Sequence, residues 1–288
     1  MLEVLGILSL IFVVLIAIAY YDKWKTQFAK YVPEVDDLIV STLSDFDYFT
    51  HLSIKGKANF VRRVRYIGFE KKFVGKHKLE VTDEMRIRIS ATISQLTFGH
   101  EDFDIPAFDE IFIYPSTFFN PVVRAKLKGY ATPTGKLAVS WPDFLHGYEV
   151  PDDNYNLGLH ELAHALHINK SRSNDNAYFR HHFKYWTEHS LGDFYNLSNS
   201  ESPFLRKYGA TNFHEFFAVV VEHFFESPQE FFKRLPNLYL RTCILLNQDP
   251  MNMQGDYVFN IKNFPWSTGY SDQTILKQHR WITRYVQE

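Results

Sequence analysis

The chain has 288 residues, 45% hydrophobic and 22% charged, a balance that excludes a disordered or fibrous protein. Lys+Arg 31 against Asp+Glu 33 leaves a formal net charge of −2, so no basic field argues for nucleic-acid binding. A lone cysteine, Cys243, excludes an intrachain disulfide scaffold.

In chain order, residues 4–21 form an apolar run in which only Ser9 is clearly polar. Eighteen residues at 1.5 Å each are about the minimum that crosses a ~30 Å bilayer core. A cleavable signal peptide is the rival, because Ala17-Ile18-Ala19 has the small-x-small form of a cleavage site. The residues before the run contain Glu3 and no Lys or Arg, whereas Lys23, Lys25 and Lys30 follow it. The expectation is a single-pass anchor over 1–21, with the body facing the cytoplasm at a bacterial inner membrane. Between Lys55 and Lys78, nine Lys/Arg stand against one acid, Glu70. Such a patch suits either an anionic lipid surface or a solvated helix face.

Helices are predicted near 36–45 and 58–73. A further one runs from the N-cap Thr82, followed by Asp83 and Glu84, to about residue 96. Strand-like runs follow at Glu110–Tyr114, 122–127 and 136–141, the last two separated by the turn residues Thr132-Pro133-Thr134-Gly135. After residue 154 the pattern is helical almost to the end. Ser227-Pro228-Gln229-Glu230 there reads as a capping box with proline at the first helical position. A few strands packed on many helices is an α+β fold. The division expected is an anchor over 1–21, a main domain over 22–254 and a helical tail over 255–288. The tail's last helix carries Ile275, Ile282 and Val286 on one side.

The chemistry concentrates in residues 156–168, NLGLHELAHALHI. His160 and His164 are four apart, so on a helix they project from one face and can grip one ion. Glu161 stands beside them, placed to take a proton from water, which is the HExxH zinc-hydrolase arrangement. The surrounding Leu and Ala describe a buried helix, where unpaired polar side chains are costly and a metal would satisfy them. A third protein ligand is required. His167 shares the face but lies seven residues along, ~10 Å from His160, too far for ligands that each sit ~2 Å from the ion. The metzincin pattern fails as well, since it wants Gly at His167 and His at Lys170. A downstream carboxylate remains. In residues 212–226, NFHEFFAVVVEHFFE, Glu215 sits amid apolar residues and needs a cationic partner, with Glu222 second.

With these residues in view, the sequence resembles the Mlc titration factor A family of zinc metallopeptidases, which have a zincin-like fold. The blocks KKFVGKHKLEVTDEMR (71–86), IFIYPSTF (111–118), GKLAVSW (135–141), NLGLHELAHALH and NFHEFFAVVVEHFFE carry the likeness, over roughly residues 30–250. The resemblance implies that Glu215 is the third ligand beside His160 and His164. YGATNFHEFFA (208–218) also resembles the start of the catalytic helix of anthrax lethal factor, which implies that Tyr208 faces the reacting carbonyl. Where many such peptidases carry an acid four residues after the ligand glutamate, this chain has Val219. Another group, Asn212 or Glu222, must then hold a histidine ligand in orientation.

The expected function is a zinc-dependent peptidase. His160, His164 and Glu215 bind Zn²⁺, Glu161 serves as general base, Tyr208 steadies the oxyanion, and an extended peptide or protein substrate adds to the strand at 136–141. The alternative is a module that sequesters a transcriptional regulator, because the resemblance implies a family whose founding member binds the repressor Mlc. A closed structural zinc site is a poor fit with one cysteine.

Overall fold

The computed structural model describes residues 33–172, 177–201 and 203–260. Helix α1 (Pro33–Thr42), a short turn α2 (Asp47–Thr50) and α3 (Ile54–Glu70) lead into strand β1 (Lys72–Gly75) and helix α4 (Asp83–Thr97). Thr82 caps α4 as expected, its hydroxyl accepting from the Met85 amide at 3.3 Å. The strands β2 (Glu110–Tyr114), β3 (Phe118–Asn120), β4 (Ala125–Leu127), β5 (Gly129–Ala131) and β6 (Lys136–Ser140) follow. The rest is helical: α5 (Trp141–Glu149), α6 (Leu157–Arg172), α7 (Ala177–Asn199), a 3₁₀ turn (Lys207–Ala210), α8 (Phe213–Glu226), α9 (Pro228–Arg234) and α10 (Pro236–Leu246). Many helices on a small sheet make the α+β fold anticipated from sequence.

The main sheet runs β1-β2-β6-β5, with β1, β2 and β6 parallel and β5 returning antiparallel on β6. Ile111, Phe112 and Ile113 of β2 are all buried, as a parallel strand covered on both faces requires. Three sequence expectations are corrected here. The strand expected at 122–127 is cut short. Asn120 Oδ1 accepts the Val122 amide at 2.9 Å and Arg124 takes φ 53°, so the chain turns between β3 and β4. The hairpin through Thr132–Gly135 therefore joins β5 to β6, and β6 is not the sheet edge: β5 is. Ser227, in turn, makes no capping bond to α9; its hydroxyl donates to Asn154 Oδ1 at 2.6 Å, and Pro228 alone starts that helix.

Part of the basic run turns inward instead of lying on a solvated face. Arg63 donates to the carbonyls of Thr97 and His100, Arg65 pairs with Asp36, and Lys71 pairs with Asp104 at 2.7 Å, all three cations being buried. These side chains tie α3 and the residue that follows it to α1, to the end of α4 and to the loop beyond, where each charge has an acid or carbonyl to offset its desolvation.

The single-pass placement is also corrected. Among the described residues no helix is long and apolar enough to cross a membrane. The long α7 carries Arg180, Lys184, Glu188 and Asp193, and the apolar α8 has 14 residues, ~21 Å against a core of ~30 Å. The run at 4–21 and the helix expected around 275–286 lie outside the described residues.

Helix α6 is the hub, packing on α8, α4, α5 and strands β5 and β6. Phe216, Phe217 and Phe224 of α8 have no exposed surface. Each such ring contributes roughly 1.5–3 kcal/mol through burial, which fixes α8 against α6 and hence one set of functional side chains against the other.

Candidate metal centre

Asn156 opens α6, its side-chain oxygen accepting the Leu159 amide at 3.0 Å. One turn in, His160 and His164 rise from the same face, with ring centroids 4.8 Å apart. Asn212 opens α8 in the same way, accepting the amides of His214 (2.9 Å) and Glu215 (3.1 Å). Of the two sequence candidates for orienting a histidine, Asn212 is thus the helix cap. The cap sets Glu215 in the first turn, facing α6. Its Oε2 lies 3.0 Å from His160 Nε2 and 3.3 Å from His164 Nε2, and the two Nε2 atoms are 3.2 Å apart. Three acceptor atoms so close repel one another unless a proton or a cation lies among them. Two imidazole nitrogens and a carboxylate oxygen are also a donor set that suits a divalent cation such as zinc. The residues present therefore fit a metal ion. Burial pulls the Glu215 carboxyl upward, but its bonds to His160 and His164 hold it well below the usual range. Burial lowers His160, and the carboxylates of Glu215 and Glu222 outweigh it, raising the imidazole to about 10.

Glu222, two turns beyond Glu215 on the same face, is 1% exposed. Its Oε1 lies 2.7 Å from His160 Nδ1 and pairs with Arg206, while Oε2 accepts the Asn156 amide at 2.8 Å. With Val219 sunk in the core, this carboxylate is what meets the far side of the His160 ring. Arg206, which the sequence did not single out, also lies over the Tyr155 ring at 4.1 Å. It precedes Glu222 by 16 residues in an irregular segment, so no periodicity could have found it.

Glu161 is buried beside the group. Burial pushes its carboxyl up to about 7; the imidazoles of His160 and His164 pull it back, and Glu215 and Glu222 push it further. A Cβ on Gly129 of β5 would stand 2.7 Å from the Glu161 Cγ and Oε1, so the bare backbone of the edge strand lies directly against this carboxyl. Tyr208 is half-exposed with its ring 5.9 Å from that of His160. Burial and the charges of Glu215 and Glu161 raise its phenol. His160, Glu161, Arg206, Tyr208 and Glu222 line a cavity of about 360 Å³, walled on one side by Lys126–Gly129. His167 stands apart, stacked on His214 with their Nδ1 atoms 2.8 Å apart.

The sequence pattern of the family described as glucose-regulated metallo-peptidase M90 matches residues 21–243, a span that includes every residue of this site. The chain belongs to that family. Similar proteins include the uncharacterized protein slr2042 of Synechocystis, 26% identical over 202 residues, covering 64% of this chain and 73% of that protein. Two proteins named Mlc titration factor A are also similar to this M90 chain. That of Serratia proteamaculans is 27% identical over 63% of this chain and 76% of its own length. That of Salmonella agona is 28% identical over 62% and 76%.

Proposed function

We infer that the protein is a zinc-dependent peptide hydrolase in which His160, His164 and Glu215 hold the ion. The observation that carries this reading is the convergence of their three donor atoms beside a buried Glu161, at the wall of an open cavity. Zn²⁺ held there supplies Lewis acidity, polarising a carbonyl and acidifying water near neutral pH. Glu161, buried beside the three donor atoms, takes a proton from the attacking water at a carboxylate oxygen and returns it to the leaving amine. Glu222 accepts the Nδ1 proton of His160, which keeps Nε2 free to act as a donor to the ion. The Tyr208 hydroxyl serves as the hydrogen-bond donor to the oxyanion. An extended peptide pairing with the edge strand β5 would pass Gly129, where the absence of a side chain leaves Glu161 within reach.

The test is zinc content and digestion of a peptide library by the wild type and by Glu161→Gln. The variant should keep its zinc and lose cleavage by ~10²–10⁴-fold; equal cleavage by the two proteins refutes the mechanism. The relatives named Mlc titration factor A support a second reading, capture of a regulatory protein. Glu161 favours hydrolysis, since capture by itself has no need of a base. If Glu161→Gln abolished cleavage yet still bound a repressor of the Mlc type, both roles would belong to the one chain.

A further inference from the structure

Residues 111–142 contain no Asp or Glu and four cations, Arg124, Lys126, Lys128 and Lys136. That stretch supplies β3, β4, β5 and β6, and its residues 126–129 wall the cavity beside the metal centre. The cavity's other cations are already matched. Lys128 meets Asp143 at 2.7 Å, His146 lies 3.0 Å from Asp153, and Arg206 is taken up by Glu222 and the Tyr155 ring. Lys126 differs: among the described residues it makes no ion pair, hydrogen bond or ring contact.

The strand pairing fixes the side on which Lys126 stands. In the β3–β4 pair, Phe118 lies opposite Leu127 and Phe119 opposite Lys126. Successive residues of a strand face opposite sides. Phe118 is buried, and it packs with Leu127 against Phe112 and Ala138 of the main sheet. Phe119, 62% exposed, and Lys126 therefore share the outer side of the hairpin. The mouth of the cavity thus carries an unmatched ammonium beside an exposed aromatic ring. Such a pair suits a carboxylate on a short alkyl stem, the charge meeting Nζ and the stem resting on the ring.

We propose that Lys126 sets the specificity of the cavity by receiving a carboxylate of the substrate, so that the chain acts on acidic peptides. An Asp or Glu side chain and a peptide's own C-terminus both present this group. Lys126 precedes Gly129, the residue against Glu161, by three positions, no more than ~10 Å along an extended backbone. A peptide paired with β5 and cleaved at Glu161 would then place its carboxylate within about three residues of the cleaved bond, on one side only. The proposal rests on the peptide-hydrolase reading and adds the class of substrate.

Two sets of alanine hexapeptides test it on the full chain supplied with zinc. One set moves a single Glu through each position, the other a single Gln, and every peptide is made both as the C-terminal acid and as the amide. The best-placed carboxylate should raise kcat/KM about three- to fivefold over its neutral counterpart, the gain of one exposed ion pair, and rising salt should shrink that ratio. Lys126→Ala should erase the ratio and Lys126→Glu invert it. Lys184→Ala, the same loss of charge at an exposed residue away from the cavity, should leave it unchanged. A gain from Glu over Gln assigns the carboxylate to a side chain, and a gain confined to acid over amide assigns it to the C-terminus; both uphold the proposal. Fluorescence anisotropy of the same peptides, labelled and bound to Glu161→Gln, reads the preference without turnover. If the wild type cleaves none of them, the hydrolase reading fails, and this binding preference still decides the role of Lys126. Equal values for charged and neutral peptides in both assays overturn the proposal, as does a ratio that survives both Lys126 substitutions or falls equally in Lys184→Ala.

Discussion

Replacing Glu222 by Gln tests the proposed metal centre and what would hold His160 in it. The carboxylate makes three contacts at once: His160 Nδ1 at 2.7 Å, Arg206, and the Asn156 amide at 2.8 Å. An amide has the same shape but only one accepting end. If its oxygen faces His160 and Arg206, its NH₂ confronts the Asn156 amide donor, and an unpaired buried N–H costs about 1–3 kcal/mol. If its oxygen faces Asn156, the NH₂ donates to His160 Nδ1 and drives the ring proton to Nε2, the atom proposed to bind the ion. Either orientation costs metal affinity. Loss of such an orienting partner is worth ~10–100-fold, or ~1.4–2.7 kcal/mol. Zinc affinity by chelator competition should therefore fall by that factor in Glu222→Gln, with thermal stability of the metal-free protein lower by about 1–3 kcal/mol. Zinc affinity within twofold of wild type in a folded variant would refute the assignment of Glu222 as the residue that positions His160.

Three further substitutions or conditions follow from the same structure. Gly129→Ala puts a Cβ 2.7 Å from Glu161 Oε1, and a shift of about 1 Å in a reacting group costs ~10²-fold in rate; kcat should drop by that order with zinc content unchanged. Trp186→Ala removes a fully buried ring packed on Phe183, Phe216 and Phe217; chemical denaturation should show a loss of ~3–5 kcal/mol. Acid sensitivity should arise from two buried imidazoles. Burial, then Arg63 and His182, lower His100 to about 3, and burial lowers His223 to about 4 against its bond to the Val219 carbonyl. Below about 6.5 the unfolded chain takes up these protons while the folded chain does not, so stability declines as pH falls through that window. At pH 5 the loss is ~2 kcal/mol for each histidine. Denaturant midpoints at pH 7 and pH 5 should differ accordingly, and His100→Phe, which keeps the ring contacts with Tyr178 and Phe179, should shrink the difference.

Local spacing carried much of this protein in plain view. A four-residue interval on a helix puts two side chains on one face whatever the fold around it, so His160 and His164 were legible as a pair and His167 could be set aside by helical rise. The Thr82 cap and the strand at Glu110–Tyr114 were equally local, and both stand in the structure. Glu215 and Glu222 were named as carboxylates on the second helix, but which one approaches the imidazoles depends on how α8 lies against α6, and the buried phenylalanines decide that. Their roles divide accordingly: Glu215 faces both Nε2 atoms and Glu222 the back of one ring.

What the chain order could not give were relations across the sheet and the irregular segments. Whether β6 or β5 forms the edge turns on a pairing between strands, and the left-handed residue Arg124, with the Asn120 bonds before it, broke a run that composition alone reads as continuous strand. Arg206 reaches Glu222 from a segment without periodicity, and the basic stretch from Lys55 proved to send Arg63, Arg65 and Lys71 inward. Side chains that meet at short range along a helix are fixed by backbone geometry that every sequence shares. Those that meet across elements are fixed only when the core packs, because the free energy that holds them there comes from burial elsewhere in the molecule.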